Sequence, residues 1–156
     1  MNLDSRLSSA LHLLLHLMEY EEAIPSERLA TALSSNPVVV RRTMAGLRDA
    51  GLVISEKGHG GGWKMSCDPG QTTVLNVYQA LGSPTLFAVG NRSNHPTCRI
   101  EQAVNTALDD AFRKAEALVA ARLGTLTLAT LATLTKNLDQ HVQPCLRTVK
   151  EQLYAL

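Results

Sequence analysis

The apolar residues that follow Asn36 recur with the period of an α-helix, and the residues at both ends of the run support that interpretation. Asn36 is a favoured N-cap, Pro37 suits the first helical position, and Gly51 supplies a C-terminal stop. The apolar positions spaced for one buried face are Val40, Met44 and Leu47. The pattern predicts one amphipathic helix over residues 37–50.

The opposite face of this predicted helix carries two adjacent arginines. Its outward positions are Val38, Arg41, Arg42 and Ala45. Small side chains around two guanidinium groups suit a helix that lies in a DNA major groove, because a planar guanidinium can bind guanine O6 and N7 or two phosphates. A pair of arginines by itself is more often a solvated surface, so the interpretation depends on the segment that follows.

Immediately after the helix, the pattern changes to two short β-prone runs, residues 52–57 and 63–66. They flank the glycine-rich segment 58–62, whose glycines permit positive φ angles and close backbone approach. These features predict a β-hairpin with Lys57 and His59 at its tip, suited to enter or straddle a minor groove. In the hairpin we expect Trp63 to pack against the helix rather than touch a ligand.

Two helices are predicted before this unit. The first spans about residues 3–19, and its expected buried face is Leu7, Leu11, Leu14, Leu15 and Met18. Its expected polar face is Ser5, Ser9, His12, His16 and Glu19. Ser26 is the expected N-cap of a helix over residues 27–33, and residues 34–36 would form the turn of a helix-turn-helix.

A long amphipathic helix is predicted in the second half of the chain. Thr73 should cap a short helix over residues 74–81 that ends at Gly82, and a loop over residues 83–97 should lead to a helix over residues 98–123, ended by Gly124. The long helix has an apolar stripe near an a/d seam: Ile100, Val104, Leu108, Ala111, Ala115 and Leu118. We expect a second copy of the chain to cover it.

The predicted fold is mainly α with a small β-hairpin, a winged helix-turn-helix domain plus a long dimerisation helix. Its expected divisions are a DNA-binding domain over residues 1–82, a sensor or linker loop over 83–97, and a dimerisation region over 98–156. A helix restarting at Thr125 or Thr127 and an amphipathic tail helix after Pro144 complete that last region.

Composition narrows the function classes. The formal net charge is only +1, yet the Asn36 to Ser66 segment holds five basic residues, Arg41, Arg42, Arg48, Lys57 and Lys64, against two acids, Asp49 and Glu56. No signal peptide or membrane-spanning apolar run is visible, and the three cysteines are too dispersed for a disulfide framework or a zinc site. We expect a cytoplasmic protein.

Cys98 is the candidate sensor residue. It would start the long helix with His95 and Arg99 nearby, where the helix dipole and positive neighbours favour a thiolate, as an oxidant sensor needs. An inert thiol that merely caps the helix is the alternative.

His12 and His16 stand one turn apart, a spacing that can bind a metal, but no third ligand is nearby and a solvated face is favoured. No metal site is expected.

The chain resembles the Rrf2 family of bacterial winged-helix regulators over roughly residues 3–136. The resemblance lies in Ser35-Asn-Pro-Val-Val-Val-Arg-Arg42, Leu47-Arg-Asp-Ala-Gly-Leu-Val53, the Lys57 to Trp63 wing and Thr127-Leu-Ala-Thr-Leu131. It implies a homodimeric repressor that binds double-stranded DNA at an inverted repeat. The DNA-binding positions it implies are Ser35, Asn36, Val38, Arg41, Arg42, Lys57 and His59.

Iron–sulfur members carry three closely spaced cysteines before the long helix. Here the corresponding segment, residues 83–98, holds only Cys98, and His12 could at most add one ligand, so no cluster is expected.

The leading hypothesis is therefore a DNA-binding transcriptional regulator, with oxidation or ligand binding near Cys98 as its signal, and not an enzyme. A thiol enzyme that uses Cys98 as nucleophile is one alternative, but no orienting acid or oxyanion element is recognisable. A winged helix used only for protein contacts is another.

Overall fold

The structure is a computed structural model that describes residues 4–87, 91 and 97–138. The helices are α1 (Arg6–Leu17), α2 (Ser26–Ala32), α3 (Pro37–Asp49), α4 (Val74–Ala80), α5 (Arg99–Thr125) and α6 (Leu128–Leu138). An antiparallel hairpin of β1 (Val53–Glu56) and β2 (Gly62–Met65) follows α3. The predicted mainly helical fold with one hairpin is confirmed. The tail helix predicted after Pro144 and the third cysteine, Cys145, lie outside the described residues.

One hydrophobic core joins α1, α2, α3 and the hairpin. Its fully buried side chains include Leu13, Leu29, Val40, Met44, Leu47 and Val53, each 0% exposed. The three predicted inward residues of α3 are all in this core, so the helical period placed that face correctly. Burying a side chain of this size contributes about 1.5–3 kcal/mol, and the core is therefore what fixes the orientation of α3.

The predicted buried face of α1 was wrong in part. The residues that are buried are Ala10, Leu13, Leu14, His16 and Leu17. Leucines occur on almost every side of α1, so several faces fitted the helical period. The predicted buried face was the one opposite His12 and His16, which were assigned to the polar face. His16 was placed on the polar face, but it is only 1% exposed and its Nε2 lies 2.9 Å from Nε2 of His12.

The start of α2 also differs from the prediction. Pro25 occupies the N-cap position, with extended φ and ψ, and Ser26 is the first helical residue. The Ser26 hydroxyl accepts a hydrogen bond of 2.9 Å from the indole Nε1 of buried Trp63. Ser26 therefore links α2 to β2 and does not cap its own helix.

The connection to α4 follows the prediction closely. Thr73 caps α4 through a capping box with Asn76, and Gly82 follows the helix with φ of 82°. The segment after α5 returns to this point, because Leu126 O accepts from Val74 N at 2.8 Å and Thr72 O accepts from Leu128 N at 2.9 Å. Leu128 is fully buried in the same hydrophobic core, so α6 begins against the unit formed by α1–α4 and the hairpin.

Helix α5 has 27 residues and none of them is buried. At about 1.5 Å per residue it is roughly 40 Å long. It continues one residue past Gly124, which was predicted to end it, because Gly124 has no positive φ and a helix accepts it. On the predicted stripe Ile100 is 75% exposed, Val104 50% and Leu118 74%. No helix in the described part of the chain is long and apolar enough to cross a membrane.

The buried His16 makes stability depend on pH. Burial, and then the neighbouring His12, lower the pKa of His16 to about 4, below the value of about 6.5 in an unfolded chain. Between these values the unfolded chain binds a proton that the folded chain does not, so stability falls as pH is lowered from 6.5 towards 4. We expect this to cost roughly 2–3 kcal/mol at pH 4.

Urea denaturation of the wild type and His16→Leu at matched protein concentration, from pH 7.5 to 4.5, measures this contribution. The variant should lose less stability on acidification. His59→Ala, at an exposed wing position, is the control and should follow the wild type. Parallel curves for wild type and His16→Leu would contradict the assignment.

Candidate nucleic-acid interface

The start of α3 is fixed by its own sequence. The Asn36 side-chain oxygen accepts a hydrogen bond of 2.8 Å from the Val38 N–H, and Pro37 occupies the first turn, as predicted. The preceding turn is closed by a 2.9 Å hydrogen bond from Ser35 N–H to Ala30 O, with Ser34 in the left-handed region at φ 49°. This turn places Ser35 and Asn36, both exposed, at the N-terminal end of α3.

The outer face of α3 is exposed where the sequence predicted it. Val38 is 56% exposed, Arg41 and Arg42 are exposed, and Ala45 is half-buried. The opposite face is anchored in the core, so these side chains cannot turn inward without unpacking the domain. The face therefore offers two guanidinium groups with apolar neighbours on a rigid helix.

The two arginines differ in their contacts, which the sequence did not reveal. Arg41 Nη2 donates to the Glu27 carboxylate of α2 in an ion pair whose side chains are 54% and 61% exposed. Arg42 makes no ion pair with any residue of the described segments. Arg48, at the end of α3, is paired with its neighbour Asp49 at 2.9 Å. The positive charge of α3 is therefore partly compensated, and Arg42 is its uncompensated arginine.

The hairpin forms the predicted wing. Its pairing register runs from Val53 opposite Met65 to Glu56 opposite Gly62, so the tip is residues 57–61. Gly58 and Gly60 have φ of 102° and 80°, which only glycine adopts readily. Lys57 and His59 are both exposed at this tip.

The wing is held to the rest of the domain at Trp63, which pairs with Ser55 near the tip end of β2. Its backbone N–H and C=O each make a 2.9 Å hydrogen bond with Ile24, in the connector before α2. A Cβ at Gly62 would overlap the Ile24 carbonyl, so glycine is required there by close backbone approach. The wing and the helix-turn-helix are thus parts of one rigid unit.

Cys98 occupies the N-cap position of α5. It is exposed, and the backbone N–H groups of Glu101 and then Ile100 lower the pKa of its thiol, although the side chain makes no capping hydrogen bond of ordinary geometry. Cys67 is half-buried. The described residues contain no group of three or more His, Cys, Asp or Glu side chains that could hold a metal ion.

The loop before α5 contacts that helix. Phe87 stacks on Phe112 with ring centroids 5.9 Å apart, and Asn91 Nδ2 donates to Asp109 at 3.0 Å. The Tyr78 hydroxyl donates to Pro84 O at 2.8 Å, which joins the same loop to α4. The segment that leads to Cys98 therefore connects the winged domain to the long helix.

The comparisons with known proteins agree with this architecture. The Rrf2 family model, described as an iron-dependent transcriptional regulator, matches residues 3–134. The chain is 35% identical over 115 residues to YwnA of Bacillus subtilis (strain 168), whose name describes it as an HTH-type transcriptional regulator. This match covers 73% of the chain and 84% of YwnA.

Two solved structures show the same fold. A transcriptional regulator from Lactobacillus plantarum superposes with a TM-score of 0.71 at 24% identity, over 89% of this chain and 93% of that one. CymR (YrzC), described as the global cysteine regulator of B. subtilis, gives a TM-score of 0.63 at 19% identity, over 86% of this chain and 98% of that one. Sequence, fold and surface thus lead to one assignment: the chain belongs to the Rrf2 family of DNA-binding transcriptional regulators.

Proposed function

We propose that this regulator binds an inverted-repeat operator as a homodimer, with α3 in the major groove and the wing at the minor groove, and represses transcription there. The observation that carries the proposal is the exposed outer face of α3, whose opposite face is buried in the core. The exposed wing tip belongs to the same rigid unit. Arg41 and Arg42 of α3 would contact bases or phosphates, and so would Lys57 and His59 of the wing. Ser35, Asn36 and Val38 lie where the helix would first meet the groove.

Self-association along α5 is the second part of the proposal. A helix of this length with exposed Ile100, Val104 and Leu118 is costly in water, and burying such side chains recovers about 25 cal/mol per Å². A second α5 packed along the same stripe would also set the distance between two copies of α3. Dimeric helix-turn-helix proteins read half-sites about one turn of DNA apart, roughly 34–36 Å.

Regulation through Cys98 is the third part. The thiol is exposed, its pKa is lowered, and it stands where the loop from the winged domain joins α5. Modification by an oxidant or electrophile, or a ligand bound near it, would change the end of the helix that sets the spacing of the α3 pair. We propose no iron–sulfur cluster, because the loop before α5 contains only this one cysteine.

The alternatives have less support. Rrf2 members are transcriptional regulators, so the family assignment sets aside a thiol enzyme. A winged helix used only for protein contacts predicts that Arg41 and Arg42 do not affect DNA binding, and the Arg42→Gln measurement described next tests this.

Arg42→Gln should weaken DNA binding. If Arg42 contacts a phosphate, its loss lowers the slope of log affinity against log salt by about 0.9. If it contacts a base edge, its loss costs ~1–3 kcal/mol on the selected sequence. The probe is a duplex selected by the wild-type protein from a random-sequence library, and affinity is measured by fluorescence anisotropy at several salt concentrations.

The matched control for that test is Arg122→Gln, which removes the same charge from an exposed position near the end of α5. It should leave the affinity and its salt dependence unchanged. A library selection that yields no enriched sequence would reject the operator proposal altogether.

Val104→Glu combined with Leu118→Glu should convert the dimer to monomer, because two charges would be buried in the apolar stripe. Sedimentation equilibrium measures the mass. Thr106→Glu, an exposed position on another side of α5, is the control and should remain dimeric. A monomeric wild type at micromolar concentration would contradict the proposal.

Cys98 should react faster with iodoacetamide than Cys67, with a larger difference at lower pH, because its lowered pKa gives it more thiolate. The comparison uses two proteins with one of these cysteines each, Cys67→Ser/Cys145→Ser and Cys98→Ser/Cys145→Ser. Equal rates would exclude an activated thiol. Equal DNA affinity of reduced and peroxide-treated Cys67→Ser/Cys145→Ser protein would exclude sensing.

A further inference from the structure

The first turn of α2 is joined to both DNA-facing elements by adjacent residues. The Ser26 hydroxyl accepts a 2.9 Å hydrogen bond from the indole N–H of Trp63, in β2 of the wing. The next residue, Glu27, forms the ion pair with Arg41 on the outer face of α3. The Ser26 contact is buried, whereas the Glu27 pair is in water.

The ion pair of Glu27 contributes little to stability. Pairs with both side chains half-exposed are worth about 0–1 kcal/mol, because solvent screens them and two long side chains lose freedom. Its consequence for Arg41 is geometric. A guanidinium has five N–H donors in a rigid plane, so Glu27 can hold one edge while the remaining donors stay available to a ligand.

That geometry separates two kinds of contact with DNA. An unrestrained arginine pairs with any nearby phosphate, which adds affinity without sequence preference. An arginine held in place loses less side-chain freedom when it binds a base edge, and it must give up its carboxylate to follow a phosphate. The Glu27 carboxylate also repels phosphates that lie close to it.

We propose that Glu27 is a positioning residue that makes Arg41 discriminate between DNA sequences. It does so at the expense of affinity for DNA in general. The proposal rests on the DNA-binding function proposed above and adds a specificity role for a residue of α2.

The test compares Glu27→Gln with the wild type on two duplexes, the library-selected one and a scrambled duplex of the same composition. We expect the variant to bind the scrambled duplex more tightly, with a salt slope steeper by about 0.9 because Arg41 is released to a phosphate. The ratio of the two affinities should fall at least about five-fold, the low end of what one base contact contributes. Glu27→Asp, which keeps the charge, should recover part of the ratio.

Two controls separate this role from a general change of charge. Glu22→Gln removes an exposed acid from the connector before α2 and should leave the ratio unchanged. In an Arg41→Gln background, Glu27→Gln should no longer change the ratio, whereas in an Arg42→Gln background it still should. Thermal unfolding of each variant checks that the fold is kept.

Several results would overturn the proposal. If Glu27→Gln changes both affinities by the same factor, Glu27 only repels DNA. If the effect persists without Arg41, the ion pair is not its cause. If neither affinity changes, the pair is an ordinary surface contact. A wild type that does not distinguish the two duplexes would instead reject the proposed function itself.

Discussion

The backbone pairing between Ile24 and Trp63 is the contact on which the proposed DNA-binding surface depends. Two 2.9 Å hydrogen bonds tie β2 of the wing to the connector before α2, and the indole adds a third to Ser26. Because Gly62 has no Cβ, the two backbones can approach closely enough to form them. Without this contact the hairpin would be a two-stranded ribbon, which is marginally stable in water. With it, the wing keeps a fixed position relative to α3.

The long helix presents the opposite physical situation. None of its residues is buried, although its stripe is apolar, so the described part of the chain does not supply the packing from which most helical stability comes. The described residues that contact α5 approach it from the loop and from α4, as the Phe87–Phe112 stack shows. Folding of α5 and self-association are therefore expected to be coupled. A signal that alters the N-terminus of α5 would then shift this coupled equilibrium.

Local signals in the sequence were sufficient for most of the elements and for the exposure of the outer face of α3 and of the wing tip. A side-chain cap and a proline defined the start of α3, and consecutive glycines defined the wing, because such signals act within a few residues. The α1 face was wrong because leucines surround that helix and a histidine was assumed to face water. Only packing of the whole domain shows that His16 is buried, and the pairs of Ser26 with Trp63 and of Glu27 with Arg41 join residues 37 and 14 positions apart. No period or local motif predicts contacts of that range.

The distribution of charge explains how a chain of net charge +1 can suit a polyanion. Among the described residues, two of the three arginines of α3 have acidic partners and Arg42 does not, while Lys57 is exposed at the glycine-rich tip of the wing. Unpaired cations attract any phosphate and so add affinity for all DNA. A cation in an ion pair must give up its carboxylate before it binds DNA, so it favours contacts that are stronger than the ion pair. A surface built from both kinds can bind tightly at one sequence without holding every duplex it meets. A more basic surface would raise affinity for all DNA and reduce the difference between sites on which a regulator depends.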